Sequence, residues 1–267
     1  MKMTEAKWLA STDPDEMLRF LRFEVTEGLL GLHSRTRVRR GAVSERKLLL
    51  FACACCRRVG GLCPRSVKDE LATAERHADR LSSEVSWESL AEDDLLIQTF
   101  VDPLDEADDI FEYRPFEVNA VFAVRQLFGG LSGLVDCMRW SAQARVEFAE
   151  ARRAEERESP GTEEAYEAML EGERLAVEAD QVGLLREIFG NPFRAAEVPE
   201  AWRAANGGAV VALAQSIYNE GKFDLLPILA DALEDAGCTD ADLLAHCRQP
   251  GEHVRGCWVI DLLLGKG

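Results

Sequence analysis

Cysteine thiolates and histidine imidazoles are the usual protein ligands of zinc, and several stand close together near the C-terminus: Cys238, His246, Cys247, His253 and Cys257. A structural zinc site needs four such donors converging on a tetrahedron. His253 and Cys257 stand four residues apart, the spacing that shares one face of a helix. Cys247 would end the preceding helix, and the turn over 248–252 could fold it back. Cys247, His253 and Cys257 are therefore the candidate metal ligands, with a fourth position open. That fourth donor is the difficulty. Cys238 and Cys247 lie at opposite ends of one helix, about 13 Å apart at 1.5 Å per residue. Adjacent His246 and Cys247 point about 100° apart around that helix. No CxxC stands among these C-terminal residues to anchor a ribbon or finger. The competing reading makes these cysteines small buried hydrophobes, with His253 capping a helix or pairing with a local acid.

A second group, Cys53, Cys55 and Cys56 with Cys63, offers thiols beside Arg57 and Arg58, cations that would lower a thiol pKa toward reactivity. The alternative is a helix whose crowded face takes small residues. Other chemistry is thinner. G-x-S-x-G, the P-loop, G-x-G-x-x-G and HExxH are absent. Four histidines, His33, His77, His246 and His253, leave few bases for a nucleophilic triad. Asp93, Asp94, Asp102, Asp105, Asp108 and Asp109 lack the spacing of a calcium loop and read as a solvated acidic run.

The charge is lopsided. The net is −17, but residues 1–68 carry 14 basic and 7 acidic side chains, and residues 69–267 carry 17 and 41. Residues 81–113 hold eleven acids and no base, while 25–43 contain Arg35, Arg37, Arg39 and Arg40. An acidic chain repels nucleic acid on average, and its basic segment lacks the interleaved aromatics that bases stack on, so nucleic-acid binding is not expected. The two ends of this charge distribution could complement each other within the fold or face another protein. The N-terminus has no signal-like apolar core and no stretch of 18 apolar residues exists, so a cytoplasmic protein without a membrane span is expected, its eight cysteines mostly reduced.

The elements that must position these residues are helices. Apolar residues recur at helical spacing almost everywhere, and strand-like alternation almost nowhere. Thr4, Asp13 and Ser44 are placed to start helices, with Pro14 in a first turn. The helix from Ser44 offers Leu48, Leu49, Phe51, Ala52, Cys55, Cys56 and Val59 as a core face. Residues 115–128 read as a helix stopped at Gly129-Gly130. Two long helices follow, 132–158 and 162–189, hinged at Ser159-Pro160-Gly161 and closed by Gly190-Asn191-Pro192. Shorter helices over 208–220, 223–236, 239–248 and 253–264 complete the chain, with Asp224 and Thr239 as expected caps. The fold class is all-α: an irregular multi-helix bundle with a long central αα-hairpin and a C-terminal set of short helical hairpins. Three regions are expected, 1–131 (with a basic loop insertion at 25–43 and the acidic segment 81–113), 132–189 and 190–267, or one continuous domain.

Four blocks carry a resemblance: TEAKWLASTDPDEMLRFLR at 4–22, RKLLLFACACCRRV at 46–59, LLREIFGNPFR at 184–194, and LPILADALEDAGCTDADLLAHCRQPGEHVRGCWVIDLLLGK at 226–266. They resemble a paralogous family of uncharacterised bacterial proteins found mainly in planctomycetes. The resemblance implies a bacterial, cytoplasmic, helical protein in which 25–43 is an insertion. It implies no activity, cofactor or catalytic residue.

With no catalytic set, the first expectation is a non-enzymatic helical protein, without a cofactor, that acts by binding another protein as adaptor or regulator. The alternative is a zinc-binding protein built on Cys247, His253 and Cys257, with a hydrolase as the activity such a site could support.

Overall fold

Three helix starts follow the capping chemistry read from the sequence. Thr4 Oγ1 accepts the Lys7 amide at 3.3 Å and opens α1 (Glu5–Ala10). Asp13 Oδ1 accepts the Glu16 amide at 2.9 Å and opens α2 (Pro14–Arg22). Ser44 Oγ accepts the Lys47 amide at 3.3 Å and opens α3 (Glu45–Arg57). This computed structural model describes residues 3–24, 37–38, 43–63, 65–80, 114–128, 130–156, 162–194 and 197–266. The remaining helices are α4 (Arg65–Ala78), α5 (Pro115–Arg125), α6 (Gly130–Glu156), α7 (Glu163–Phe189), α8 (Glu200–Ala204), α9 (Ala209–Glu220), α10 (Leu226–Asp235), α11 (Ala241–Arg248) and α12 (Trp258–Leu264). The fold is all-α. Among the described residues the only strands are β1 (Phe23–Glu24) and β2 (Arg37–Val38), an antiparallel pair with Phe23 opposite Val38. Of the basic segment 25–43 only Arg37, Val38 and Val43 are described; the acidic segment 81–113, its aspartates and the hinge at 159–161 lie outside the described residues.

Internal contacts divide the chain into two compact units, Ser11–Leu184 and Met1–Ala10 with Leu185–Gly267. The cut falls inside α7 and sends the first ten residues with the last eighty-three, a division different from the three sequence-drawn regions.

In the unit Ser11–Leu184, α3 is buried all round. Every residue from Leu48 to Cys56 is inaccessible, so Leu50, Cys53 and Ala54 join the expected core face. A helix apolar on every side must be surrounded, and α4, α5 and α6 pack against it. The expected helix over 115–128 ends at Arg125 and passes through a tight turn over Gln126–Phe128. The helical run thus ends at Phe128 as expected, and Gly130 opens α6; a Cβ at Gly133 would sit 2.1 Å from the Gln126 carbonyl oxygen, so only glycine lets the turn and the helix approach this closely. The long hairpin is present: α6 and α7, 27 residues each, run antiparallel. Gln181 donates to the Met138 carbonyl at 3.0 Å near one end, and Tyr166 reaches Glu150 at 3.1 Å near the other.

In the other unit, α9 packs on α10 and α12, and α10 packs on α11, around Val210, Ile217, Leu226, Leu229, Leu243 and Ile260. Gly190 ends α7 as predicted. Its amide bonds back to the Arg186 carbonyl at 2.9 Å, and its φ of +60° favours glycine. Its carbonyl accepts the indole N–H of the fully buried Trp8 at 3.0 Å. Three local expectations are corrected. The cap of α11 is Asp240, whose Oδ1 accepts the amides of Asp242 and Leu243 at 3.0 and 3.1 Å, and not Thr239. Asp224 lies in a tight turn, Phe223–Leu225, and α10 starts on Leu226-Pro227 without a side-chain cap. The last helix begins at Trp258, five residues later than expected, because Val254–Cys257 form a turn closed by Cys257 N–H to Val254 O at 3.0 Å, with Gly256 at φ +96°.

Candidate metal centre

Four side chains in the unit built on Leu185–Gly267 converge on one point: Glu187, His246, His253 and Cys257. Their donor atoms all lie within 4.8 Å of one another. Glu187 comes from the last turn of α7, His246 from α11, and His253 and Cys257 from the connection between α11 and α12. His253 Nδ1 lies 3.0 and 3.1 Å from the two Glu187 carboxylate oxygens. His246 Nε2 lies 3.2 Å from Glu187 Oε2 and 3.3 Å from Cys257 Sγ. Tetrahedral zinc with bonds of 2.0–2.3 Å places its ligand atoms about 3.3–3.8 Å apart. Three separations, 3.0, 3.2 and 3.3 Å, stand at or just under that range, and the others lie within 4.8 Å.

The surroundings hold the donors still. The His246 ring packs 5.0 Å from the His253 ring and 5.2 Å from Trp258, centroid to centroid. The Gln249 side-chain amide lies 3.2 Å from His246 Nδ1; with Nε2 given to a metal, Nδ1 carries the ring proton and the amide turns its oxygen to accept it. A Cβ on Gly190 would lie 3.0 Å from the Trp258 ring, so the glycine that ends α7 also admits the indole packed on His246. Glu187 and His253 side chains are each 6 % exposed, His246 9 % and Cys257 fully buried.

Burial decides the protonation of this pocket. It pushes His246 down to about 4 against the opposing pull of the Glu187 charge, with His253 adding to the depression, so the imidazole is neutral at pH 7 and keeps a lone pair. Burial, and then the Glu187 charge, push the Cys257 thiol well above its ordinary value. A cation seated among the four would reverse that second effect, since a coordinated thiol loses its proton. His253 Nε2 is buried and makes no hydrogen bond among the described residues.

The structure brings together two of the three sequence candidates, His253 and Cys257, and does so through a turn and not along a helix face. Cys247 is not among the converging donors. It is fully buried in the apolar core beside Leu243 and Ile260, where burial first, then Glu187 and Cys238, raise its thiol to about 12. The 100° step between neighbours selects His246 for the site and Cys247 for the core. Glu187, which sequence reasoning missed, carries a signal in its own position. It falls on the apolar stripe of Leu184, Leu185 and Ile188, in the last turn of a helix, where the negative dipole end disfavours a carboxylate. A buried acid there needs positive charge beside it.

The thiols of α3 form no such site. Cys53, Cys55 and Cys56 are buried, and Cys56 Sγ lies 3.1 Å from Cys137 Sγ. Arg57 does pull Cys53 down and Arg58 pulls Cys55 down, as expected, but desolvation outweighs them and leaves Cys53, Cys55 and Cys56 well above the ordinary thiol, with Arg57 turned to Glu75 and Arg58 to Asp180. His33 lies outside the described residues.

Set against known proteins, the chain matches no family model, no curated protein and no solved structure. Among the described residues, no helix is long and apolar enough to cross a membrane.

Proposed function

We propose that this is a zinc-binding helical protein in which Glu187, His246, His253 and Cys257 hold one structural metal ion. The observation that carries the reading is the convergence of four chemically different donors, from three parts of the sequence, on a buried point of tetrahedral size. The donor set is one carboxylate oxygen, two imidazole nitrogens and one thiol. Calcium and magnesium favour oxygen alone; a mixed N, O and S set suits zinc. Its role follows from burial. Four protein ligands complete a tetrahedron, and side chains no more than 9 % exposed leave no approach for a substrate. The metal is then a folding element of a non-enzymatic protein, tying the end of α7 to α11 and to the turn before α12. The work of the molecule on this reading lies in what its surfaces bind.

Elemental analysis of protein purified without added metal tests the proposal. One zinc per chain is expected, lost in Glu187→Ala and kept in Cys247→Ala. Metal-free protein that folds and melts as the untreated sample does, with or without added zinc, contradicts it.

A further inference from the structure

Residues 186–194, the last turn of α7 and the stretch after it, serve two neighbours at once. Glu187 faces the metal centre. Arg186, Gly190, Asn191 and Arg194 hold α1, which belongs to the same compact unit although it opens the sequence. Arg186 Nη2 donates to the carbonyls of Trp8 and Leu9 at 3.0 and 2.9 Å, two of the acceptors that the end of a helix leaves open. The Trp8 indole N–H goes to the Gly190 carbonyl. Asn191 Nδ2 and Arg194 Nε both donate to Glu5 Oε1, at 2.8 and 2.5 Å.

A helix of six residues does not persist alone in water, so α1 owes its form to this seat. Its one buried side chain is Trp8. The seat is tied to the metal centre at three points. Glu187 follows Arg186 directly. Gly190 lies against the Trp258 ring, which packs in turn on His246. Arg194 also reaches Asp242 Oδ2 at 2.7 Å, one turn ahead of His246 on α11. The ion pairs of the exposed Arg194 contribute little each. The coupling therefore runs chiefly through Trp8, which is fully buried and bonded to the glycine that admits Trp258.

We propose that the metal centre is a latch for the N-terminal helix, an inference that rests on the zinc reading above. With the ion bound, residues 186–194 are fixed and α1 docks through Trp8. With the ion removed, a buried carboxylate at the negative end of the α7 dipole favours unwinding of that turn. The seat then loosens, and α1 is released while the core of the unit still holds. Such coupling is reciprocal: the factor by which zinc favours docking is the factor by which docking favours zinc. Trp8 donates nothing to the metal and is a positioning residue for it.

Zinc affinity of the full chain, measured by competition with a chromophoric chelator, tests the latch. Trp8→Ala should weaken zinc about tenfold, within the usual range of coupling between two sites. Leu229→Ala empties a fully buried position in the core of the same unit, away from the seat, and should change zinc affinity less than about twofold. Trp8→Phe, which keeps an apolar ring without the indole N–H, should lie between the two. Hydrogen exchange in the cold tests the reverse direction without any substitution. Removing zinc should speed exchange of the α1 amides about tenfold or more relative to those of α9. Equal weakening by Trp8→Ala and Leu229→Ala, or exchange in α1 and α9 changing by the same factor, overturns the latch and leaves the zinc centre standing. A chain that takes up no zinc overturns both, and metal analysis shows this before any variant is made.

Discussion

Two buried thiols, Cys56 on α3 and Cys257 before α12, are equally sealed from water, yet their neighbours differ in kind. The closest polar partner of Cys56 is another thiol, Cys137, at 3.1 Å. The closest partner of Cys257 is the imidazole of His246 at 3.3 Å, with Glu187 and His253 behind it. Burial raises both thiols in the same direction, so burial cannot separate inert sulfur from ligating sulfur. What separates them is a carboxylate and two imidazoles gathered on one side. Around α3 the cysteines act as small apolar residues that let neighbouring helices approach; before α12, on the proposed zinc reading, Cys257 is one donor of a mixed set. The zinc proposal therefore rests on the variety of donors and not on the number of thiols.

The sharpest break in the comparison comes from His253→Ala. If zinc ties this unit together, the variant loses the ion and much of a binding free energy that reaches about 10 kcal/mol or more in structural sites, comparable with the whole stability of a domain. The unit should then melt far below the rest of the chain, seen as a separate early transition in calorimetry. A single unshifted transition with the metal retained would place His253 outside the site.

Removing the ring that packs on His246 is the next largest effect. Trp258→Ala should cost about 3 kcal/mol through lost packing, read from the urea midpoint. Because Trp258 donates nothing to the metal, zinc stoichiometry should hold.

The α3 thiols supply a test by pH. Burial raises Cys63 from 9.0 to about 11 and pushes its neighbours on α3 well above the ordinary thiol. A thiol whose folded pKa lies above its unfolded value contributes stability that is complete below the unfolded value and is lost as pH rises to the folded one. Stability of this unit should therefore fall between pH 9 and 11, by about 2–3 kcal/mol for Cys63 alone, and Cys63→Ala should flatten the slope. A slope that the substitution leaves unchanged would show that this thiol is not the titrating group.

Smallest is Cys56→Ala, which deletes one buried sulfur and should cost about 1 kcal/mol, similar to losing one core methyl group, with zinc content untouched. Loss of zinc in this variant would erase the distinction between the two clusters.

Much of the scaffold was legible in the chain. Asp13, Ser44 and Gly190 announce helix ends through local chemistry, and the paired long helices follow from length and punctuation. Burial of α3 on every side was not legible, because small residues such as Cys53 and Ala54 suit both a crowded interface and an indifferent surface. The site was half legible. His253 and Cys257 are near neighbours, and their chemistry shows in the sequence, although Gly256 breaks the helix expected to align them. Choosing Cys247 over His246 was a matter of phase: on a helix as short as α11, Leu243, Leu244, His246 and Cys247 leave the inward direction undetermined. Glu187 lies 66 residues from the histidine it meets, and only tertiary packing joins them. Its one local sign is an acid on an apolar stripe at the wrong end of a helix dipole.

Cobalt(II) substitution reads the central claim most directly, since the ion reports both geometry and sulfur ligation in its absorption spectrum. Loaded into metal-stripped protein, cobalt should give the intense visible bands of a tetrahedral site and a near-ultraviolet sulfur-to-metal band of single-thiolate intensity. Both signals should persist in Cys247→Ala, and the sulfur band should vanish in Cys257→Ala. Weak octahedral absorption without a sulfur band, or a sulfur band that follows Cys247 in place of Cys257, would contradict a centre built on Glu187, His246, His253 and Cys257.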